Sequence, residues 1–342
     1  MSASLEFGPI PTPDASVESA VKAAMTQNPR GVSFGRLAAL GAWVAGRQSE
    51  APPRPITHPR VVVFAGDHGV AARGVSAFTP EASVVQADEI DAGAAPVNTL
   101  ARLADAPVEL VRVSLNEPTA RIRSGAGAID VEDAMSEEEF RQAAELGIAT
   151  ADKAIDSGCD FAVVGDVGVG NTTVGAAILG ALTFTEPVAA VGRGSGINDE
   201  TWKVKVTAVR DAMFRVRDLH DDVAEVIRRI SSPDFVALTA FIAQCAARKT
   251  PVLIDGAFPA TAAYVAERLA PGVKEWLVAG QLSNEPCHIV CLQALDLTPV
   301  AALDMTTGQG AGGAAVLPLV TAAVDLVSDE MRSQEQNPAG QN

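Results

Sequence analysis

A chain of 342 residues that is 48% hydrophobic but only 4% aromatic must build its core from Ala, Val, Leu and Ile, and it has the length for one large α/β domain or two smaller ones. Its net charge of −16 argues against a nucleic-acid partner, whose capture rests on clustered Lys and Arg, and against an anionic membrane surface. Any anionic ligand must therefore be held locally, by helix ends and a few basic side chains.

Cys159, Cys245, Cys287 and Cys291 are spaced like neither a disulfide framework nor a zinc ribbon. The start, Met1-Ser-Ala-Ser-Leu-Glu6, lacks the basic and apolar regions of a signal peptide, and no apolar run stands out at the ~20 residues of a membrane span. A soluble, cytoplasmic protein is expected.

Residues 1–13 are proline-rich and predicted extended. Asp14 opens a helix to about residue 27 whose inner face is Val17, Ala20, Val21 and Ala24. Asn28-Pro-Arg-Gly31 reads as a turn and 34–47 as a second amphipathic helix, before Ala51-Pro-Pro-Arg-Pro55 breaks the chain. A small helical domain over 1–55, completed by part of the C-terminal helix, is thus expected ahead of a large α/β domain over 56–327.

Strands are predicted at 61–65 and 108–113, with helices over 80–92 and 98–103 between them. After an irregular stretch, Ser136 starts a long helix with Glu139 placed for a capping box. A buried strand at 161–165 and a helix over 174–182 follow. Further strands are predicted at 188–191, 251–255, 276–280 and 300–304, and helices over 199–217, 221–230, 234–248, 260–269, 286–295 and 314–327. Residues 328–342 are expected to be a polar, disordered tail. Such alternation implies an α/β fold: a doubly wound, mostly parallel sheet, Rossmann-like, with a small helical domain.

In such sheets ligands sit beyond the carboxyl ends of the strands. Here those ends carry Gly66-Asp-His-Gly69, Gly165-Asp-Val-Gly-Val-Gly-Asn-Thr-Thr173, Gly192-Arg-Gly-Ser-Gly196, Asp255-Gly-Ala257 and Gly308-Gln-Gly-Ala-Gly312. The second is strand, glycine turn and helix start in succession, an anion cradle in which free N–H groups and the helix dipole meet a negative ligand. It has neither the lysine nor the spacing of a Walker A loop. Lys205, nearly two turns into its helix, either reaches a ligand or is a solvated cation. Asp67 and His68 are adjacent and so point to opposite sides, leaving a loop role open. Ser283 reads as a helix cap with Pro286 in the first turn. Cys287, His288 and Cys291 read as core residues in preference to metal ligands.

Taken together, Phe64-Ala-Gly-Asp-His-Gly-Val-Ala71, Gly74-Val-Ser-Ala77, Gly165–Thr173, Gly194-Ser-Gly-Ile-Asn-Asp199 with Lys205, Ser283-Asn-Glu-Pro-Cys-His288 and Gly308–Gly312 resemble the nicotinate-nucleotide:dimethylbenzimidazole phosphoribosyltransferase family. The resemblance runs from about residue 29 to 327. It implies a homodimer that needs no metal or cofactor and moves 5-phosphoribose from nicotinate mononucleotide to an aromatic base such as dimethylbenzimidazole, giving α-ribazole phosphate. The family's phosphate and ribose contacts fall on Gly168, Gly170, Asn171, Thr172, Gly194, Ser283 and Gly308. Its acid falls on Asp166, shorter than the usual glutamate, and its lysine on Lys205. The base pocket falls on 76–86, with Ser76, Phe78 and Gln86 as contacts.

The family's catalytic glutamate sits in a Gly-Glu-Gly turn, and here Gln309 occupies that place. A glutamine amide can orient a ring nitrogen but cannot take its proton. Met305-Thr-Thr307 and Ser232-Pro-Asp-Phe235 also differ from the family pattern. Two alternatives follow from these changes: a paralogue that binds a nucleotide or base without turnover, or transfer to a different base.

Overall fold

The structure, a computed structural model, describes residues 7–118 and 120–336. The first six residues of the expected extended start and the end of the expected tail lie outside them. Asp14 caps the first helix, α1 (Ala15–Thr26), accepting the N–H groups of Ser16 and Val17 at 3.0 Å. Where the sequence predicts a turn there is a short helix, α2 (Pro29–Ser33), because Pro29 suits a first helical position and Asn28 Oδ1 accepts the Gly31 N–H at 2.7 Å. Helix α3 spans Arg36–Gln48.

Five parallel strands build the sheet: β1 (Pro59–Gly66), β2 (Val108–Ser114), β3 (Phe161–Val167), β4 (Val252–Ile254) and β5 (Leu277–Ala279), in spatial order β2-β1-β3-β4-β5. Strand order reverses between β1 and β3, and at such a switch point the connections diverge and leave a crevice. Alternate residues face opposite layers. Val62, Phe64, Ala162 and Val164 enter one apolar cluster; Val61, Val63, Phe161 and Val163 enter the other.

Helices α4 (Ala82–Asp91) and α5 (Pro96–Ala101) cover the second layer. The first is covered by α6 (Glu137–Asp156), α7 (Asn171–Thr183), α8 (Pro187–Ala190), α9 (Asp199–Arg215), α10 (Val223–Ile230), α11 (Pro233–Ala247), α12 (Ala257–Leu269) and α13 (Pro286–Ala294). Ser136 and Glu139 form the expected capping box of α6. The last helix, α14 (Ala311–Gln336), returns to the second layer through Ala314, Leu317, Val320 and Val324. Farther along, its Val327 closes a third cluster with Val21, Met25, Ala42 and Ala45 of α1 and α3.

Three expectations are corrected. Residues 188–191 are not a strand: Pro187 at a first helical position and the pair Ala189-Ala190 make the one-turn α8. The strand predicted at 300–304 shrinks to β7 (Ala301–Ala302), which pairs in parallel with β6 (Gln281–Leu282) outside the main sheet, and Asp304 (φ 54°) leaves extended conformation. The tail predicted from 328 is helical to Gln336, with Ser328 and Glu330 buried. That extension makes α14 long and apolar enough to cross a membrane by length and composition, although 61% of its most apolar window is buried in the protein.

Candidate active site

Strand β3 carries Asp166 to the switch point, and the chain turns through Gly168 and Gly170 into α7. Gly170, at φ 96°, caps that helix in the left-handed region that only glycine adopts cheaply. A Cβ at Gly168 would come within 2.3 Å of the Gly66 carbonyl oxygen and 2.6 Å of His68 Nε2, so only glycine lets this turn pack on the end of β1. Asn171 locks the turn: its Oδ1 accepts the Thr172 N–H at 2.7 Å and its Nδ2 donates to Asp166 Oδ2.

The turn ahead of α14 lies against this one. Gly308, Gln309 and Gly310 are all left-handed, at φ 71°, 63° and 74°. The Gln309 N–H donates to the Asp166 carbonyl at 2.9 Å, and a Cβ on Gly165 would fall on the Gln309 carbonyl group. Two glycine turns far apart in sequence thus meet backbone to backbone.

Helix α9 brings Lys205 to the same place. It is no solvated cation: only 1% exposed, its Nζ donates to Thr172 Oγ1 at 2.8 Å. Burial lowers its pKa, and the charge of Glu285 opposes that shift. Glu285 itself accepts the Gly194 N–H at 2.7 Å. Ser283 does not cap α13, whose cap position is Glu285; its Oγ lies 2.9 Å from Nδ1 of His288, an imidazole that burial holds down at about 4. Ser76, Phe78, Gln86, Asp166, Gly168, Gly170, Asn171, Thr172, Gly194, Lys205, Ser283 and Gly308 all line one open cleft with about 960 Å³ of empty space. Met305, Thr306 and Thr307 form part of its rim. Helix α4, which carries Gln86, is tied to the anion turn by Ser83 Oγ, acceptor of the Val169 N–H at 2.9 Å.

Gln309 stands apart. Its side chain is buried, does not line the cleft, and points Oε1 toward the Val97 N–H in the first turn of α5, 3.5 Å away. Asp166 lines the cleft, as do Asp255 and Glu285. Burial pushes its pKa up to about 7; the Asn171 hydrogen bond opposes this, and the neighbouring carboxylates Asp234 and Asp255 add to it. These two also sit above the usual carboxylate range because they are buried. Asp255 accepts from Gln281 Nε2 at 3.0 Å. Asp234 Oδ1 lies 3.3 Å from Ser114 Oγ, and its Oδ2 is 3.7 Å from His68 Nε2. Adjacent Asp67 turns the other way, accepting the Asn116 N–H at 2.7 Å.

Sequence reasoning misses Asp234, Asp255 as an acid in the wall, and Ser195, whose hydroxyl reaches Ser76. For Asp234 a signal exists: a carboxylate opening an otherwise apolar helix that is buried all round. Cys287 and Cys291 pack on Thr261 Oγ1 at 3.3 and 3.4 Å. Among the described residues no cluster of His, Cys, Asp and Glu could hold a metal ion.

Fold and cleft together define a doubly wound α/β protein with a glycine turn leading into a helix N-terminus, a buried lysine and a near-neutral acid at its switch point. A family model described as Phosphoribosyltransferase matches residues 10–337. The nicotinate-nucleotide–dimethylbenzimidazole phosphoribosyltransferase of Corynebacterium efficiens is 53% identical over 300 residues, 87% of this chain and 82% of that one. The protein of the same name from Mycobacterium avium is 45% identical over 333 residues, 95% of each chain. The crystal structure of CobT from Thermus thermophilus superposes with a TM-score of 0.85 at 32% identity, covering 91% of this chain and 96% of that one. The chain belongs to this phosphoribosyltransferase family.

Proposed function

We propose that this protein transfers the 5-phosphoribosyl group of nicotinate mononucleotide to a nitrogen of dimethylbenzimidazole, yielding α-ribazole phosphate and nicotinate. The observation that carries the reading is the convergence, on one cleft, of the α7 anion turn, the buried Lys205–Thr172 pair and the 76–86 segment. The 5′-phosphate sits among Gly168, Gly170, Thr172 and Gly194 with Lys205 as counter-charge, and the ribose sits between Ser283 and Gly308. The acceptor base lies against Ser76, Phe78 and Gln86.

In nicotinate mononucleotide the ring is already a pyridinium, so it departs with the C–N electron pair as a neutral pyridine ring and needs no proton. The work is positioning, and stabilising positive charge that grows on the ribosyl carbon. As one benzimidazole nitrogen attacks, the other must lose its proton. Gln309 is an amide directed at Val97, whereas Asp166 is an acid on the cleft wall, poised near neutrality and oriented by Asn171. We assign Asp166 as the general base, a role worth about 10²–10⁴ in rate. The binding-only alternative draws on Gln309 standing in for the base, and that motive is removed when Asp166 takes the proton.

The test is incubation of the protein with nicotinate mononucleotide and dimethylbenzimidazole, followed by chromatography for α-ribazole phosphate. Absence of product at high enzyme concentration would overturn the reading. The working unit is taken to be a cytoplasmic homodimer; light scattering at 35.2 kDa instead of twice that mass would refute the dimer.

A further inference from the structure

The cleft wall includes two loops that no strand joins. Residues 74–80 carry Ser76 and Phe78, and residues 192–197 carry Gly194 on the anion side. They meet at Ser195. Its Oγ lies 3.1 Å from Ser76 Oγ and accepts the Ala77 N–H at 3.0 Å, while Ser76 Oγ accepts the Phe78 N–H at 3.1 Å. On its other side the Ser195 loop is anchored by Glu285, acceptor of the Gly194 N–H, and it is braced internally by Arg193 Nη1, which donates to the Ile197 carbonyl at 2.9 Å. A continuous bonded path therefore runs Glu285–Gly194–Ser195–Ser76, from the anion wall to the base wall.

Pivots flank this path. Gly74, Gly194 and Gly196 are left-handed, at φ 74°, 48° and 85°, and nothing lies within 4 Å of a Cβ position at Gly74 or Gly196. Left-handed glycines in open space are places where a loop swings without steric cost. The third pivot is crowded by a charge: a Cβ at Gly194 would lie 3.2 Å from Lys205 Nζ. Whatever anion Lys205 neutralises thus touches the hinge of the loop that Ser195 ties to the base side.

We propose that Ser195 is a positioning residue for the acceptor base, latching the 74–80 loop onto the 192–197 loop so that an anion seated between Gly194 and Lys205 closes the cleft over the base. The assignment rests on the reading of 76–86 as the base side and Gly194 with Lys205 as the phosphate side. Two solvent-facing hydrogen bonds transmit the closure, so the coupling is modest, about 3- to 10-fold. By linkage it must be the same in both directions.

Calorimetric titration of dimethylbenzimidazole, with and without saturating ribose 5-phosphate, reads this coupling in the absence of turnover, because that sugar has the phosphate but no leaving group. Wild-type protein is expected to bind the base about 3- to 10-fold more tightly when ribose 5-phosphate is present. Ser195→Ala is expected to lose that gain while keeping its affinity for ribose 5-phosphate alone, and Ser195→Thr, which restores the hydroxyl, to regain it. A gain that persists in Ser195→Ala, a wild type without any gain, or an alanine variant weakened equally toward both ligands overturns the latch. Wild-type protein that shows the gain yet makes no α-ribazole phosphate overturns the proposed reaction and supports the latch.

Discussion

The turns at 165–170 and 308–310 use the same backbone device to opposite ends. Each enters a helix N-terminus, the first through left-handed Gly170 and the second through three left-handed residues, and the two are pressed so closely that Gly165 has no room for a Cβ. In the first, the side chain that follows Gly165 projects onto the cleft wall as Asp166, buried, pushed up to about 7 and steered by Asn171. In the second, the side chain that follows Gly308 turns away, under α5, and ends near the Val97 N–H. The lesson is that a glycine turn fixes where the backbone goes, while the neighbours decide which side chain meets the ligand.

The largest expected effect is at Asp166. Asp166→Asn keeps the acceptor for Asn171 but cannot take a proton, and kcat is expected to fall by about 10²–10⁴. A drop smaller than tenfold in a steady-state assay would dissolve the contrast between the turns. Next is Lys205→Met: the phosphate loses a charge-assisted hydrogen bond, and KM for nicotinate mononucleotide is expected to rise about 10- to 100-fold. An unchanged KM would place the anion elsewhere.

The pH response sharpens the same comparison. Because Asp166 must be ionised to act, kcat/KM is expected to fall on the acid side of about pH 7, and that limb should be missing in Asp166→Asn. Its raised pKa means the folded chain holds a proton that the unfolded chain has released, so stability from this group is full below the ordinary value of 3.8 and declines as pH rises toward about 7. Melting of Asp166→Asn should therefore exceed wild type at pH 8 and match it near pH 4. Gly165→Ala, which forces the turns apart, is expected to cost about 1–3 kcal/mol by denaturant titration. Smallest of all is Gln309→Ala, expected to change kcat less than about threefold, since its side chain lies off the cleft; a large loss would return the second turn to the chemistry.

Much of this was legible in the sequence because it was local. The apolar runs at 61–65 and 161–165, the glycines after them and the Ser136–Glu139 cap each act over a few residues, and each stands where the pattern puts it. What escaped depends on partners distant in sequence. Lys205, read from its own helix, is either a ligand contact or a solvated cation, and only the turn of α9 toward Thr172 buries it. Asp234 gains its meaning only when α11 sets it beside His68 and Ser114. Residues 188–191 show how short apolar runs deceive: four residues cannot register a period, and Pro187 decides for helix. The polar stretch beyond 327 lacked the pattern of a core helix, yet Arg30 pairs with Glu330 at 3.1 Å and helps to hold it.

Helix α14 also has a bearing on how the chain is made. On the layer that holds Val61, Val63, Phe161 and Leu253, α4 and α5 share the cover with Ala314, Leu317, Val320 and Val324 of α14. These α14 residues are translated after every strand of the sheet. Until they emerge, α4 and α5 cover that layer alone, and the growing chain presents a greasy face that holdase chaperones bind. Synthesis stalled before residue 311 should leave a chaperone-bound or aggregating intermediate, whereas emergence of α14 lets that helix complete the layer and bring the 308–310 turn into place in the same step.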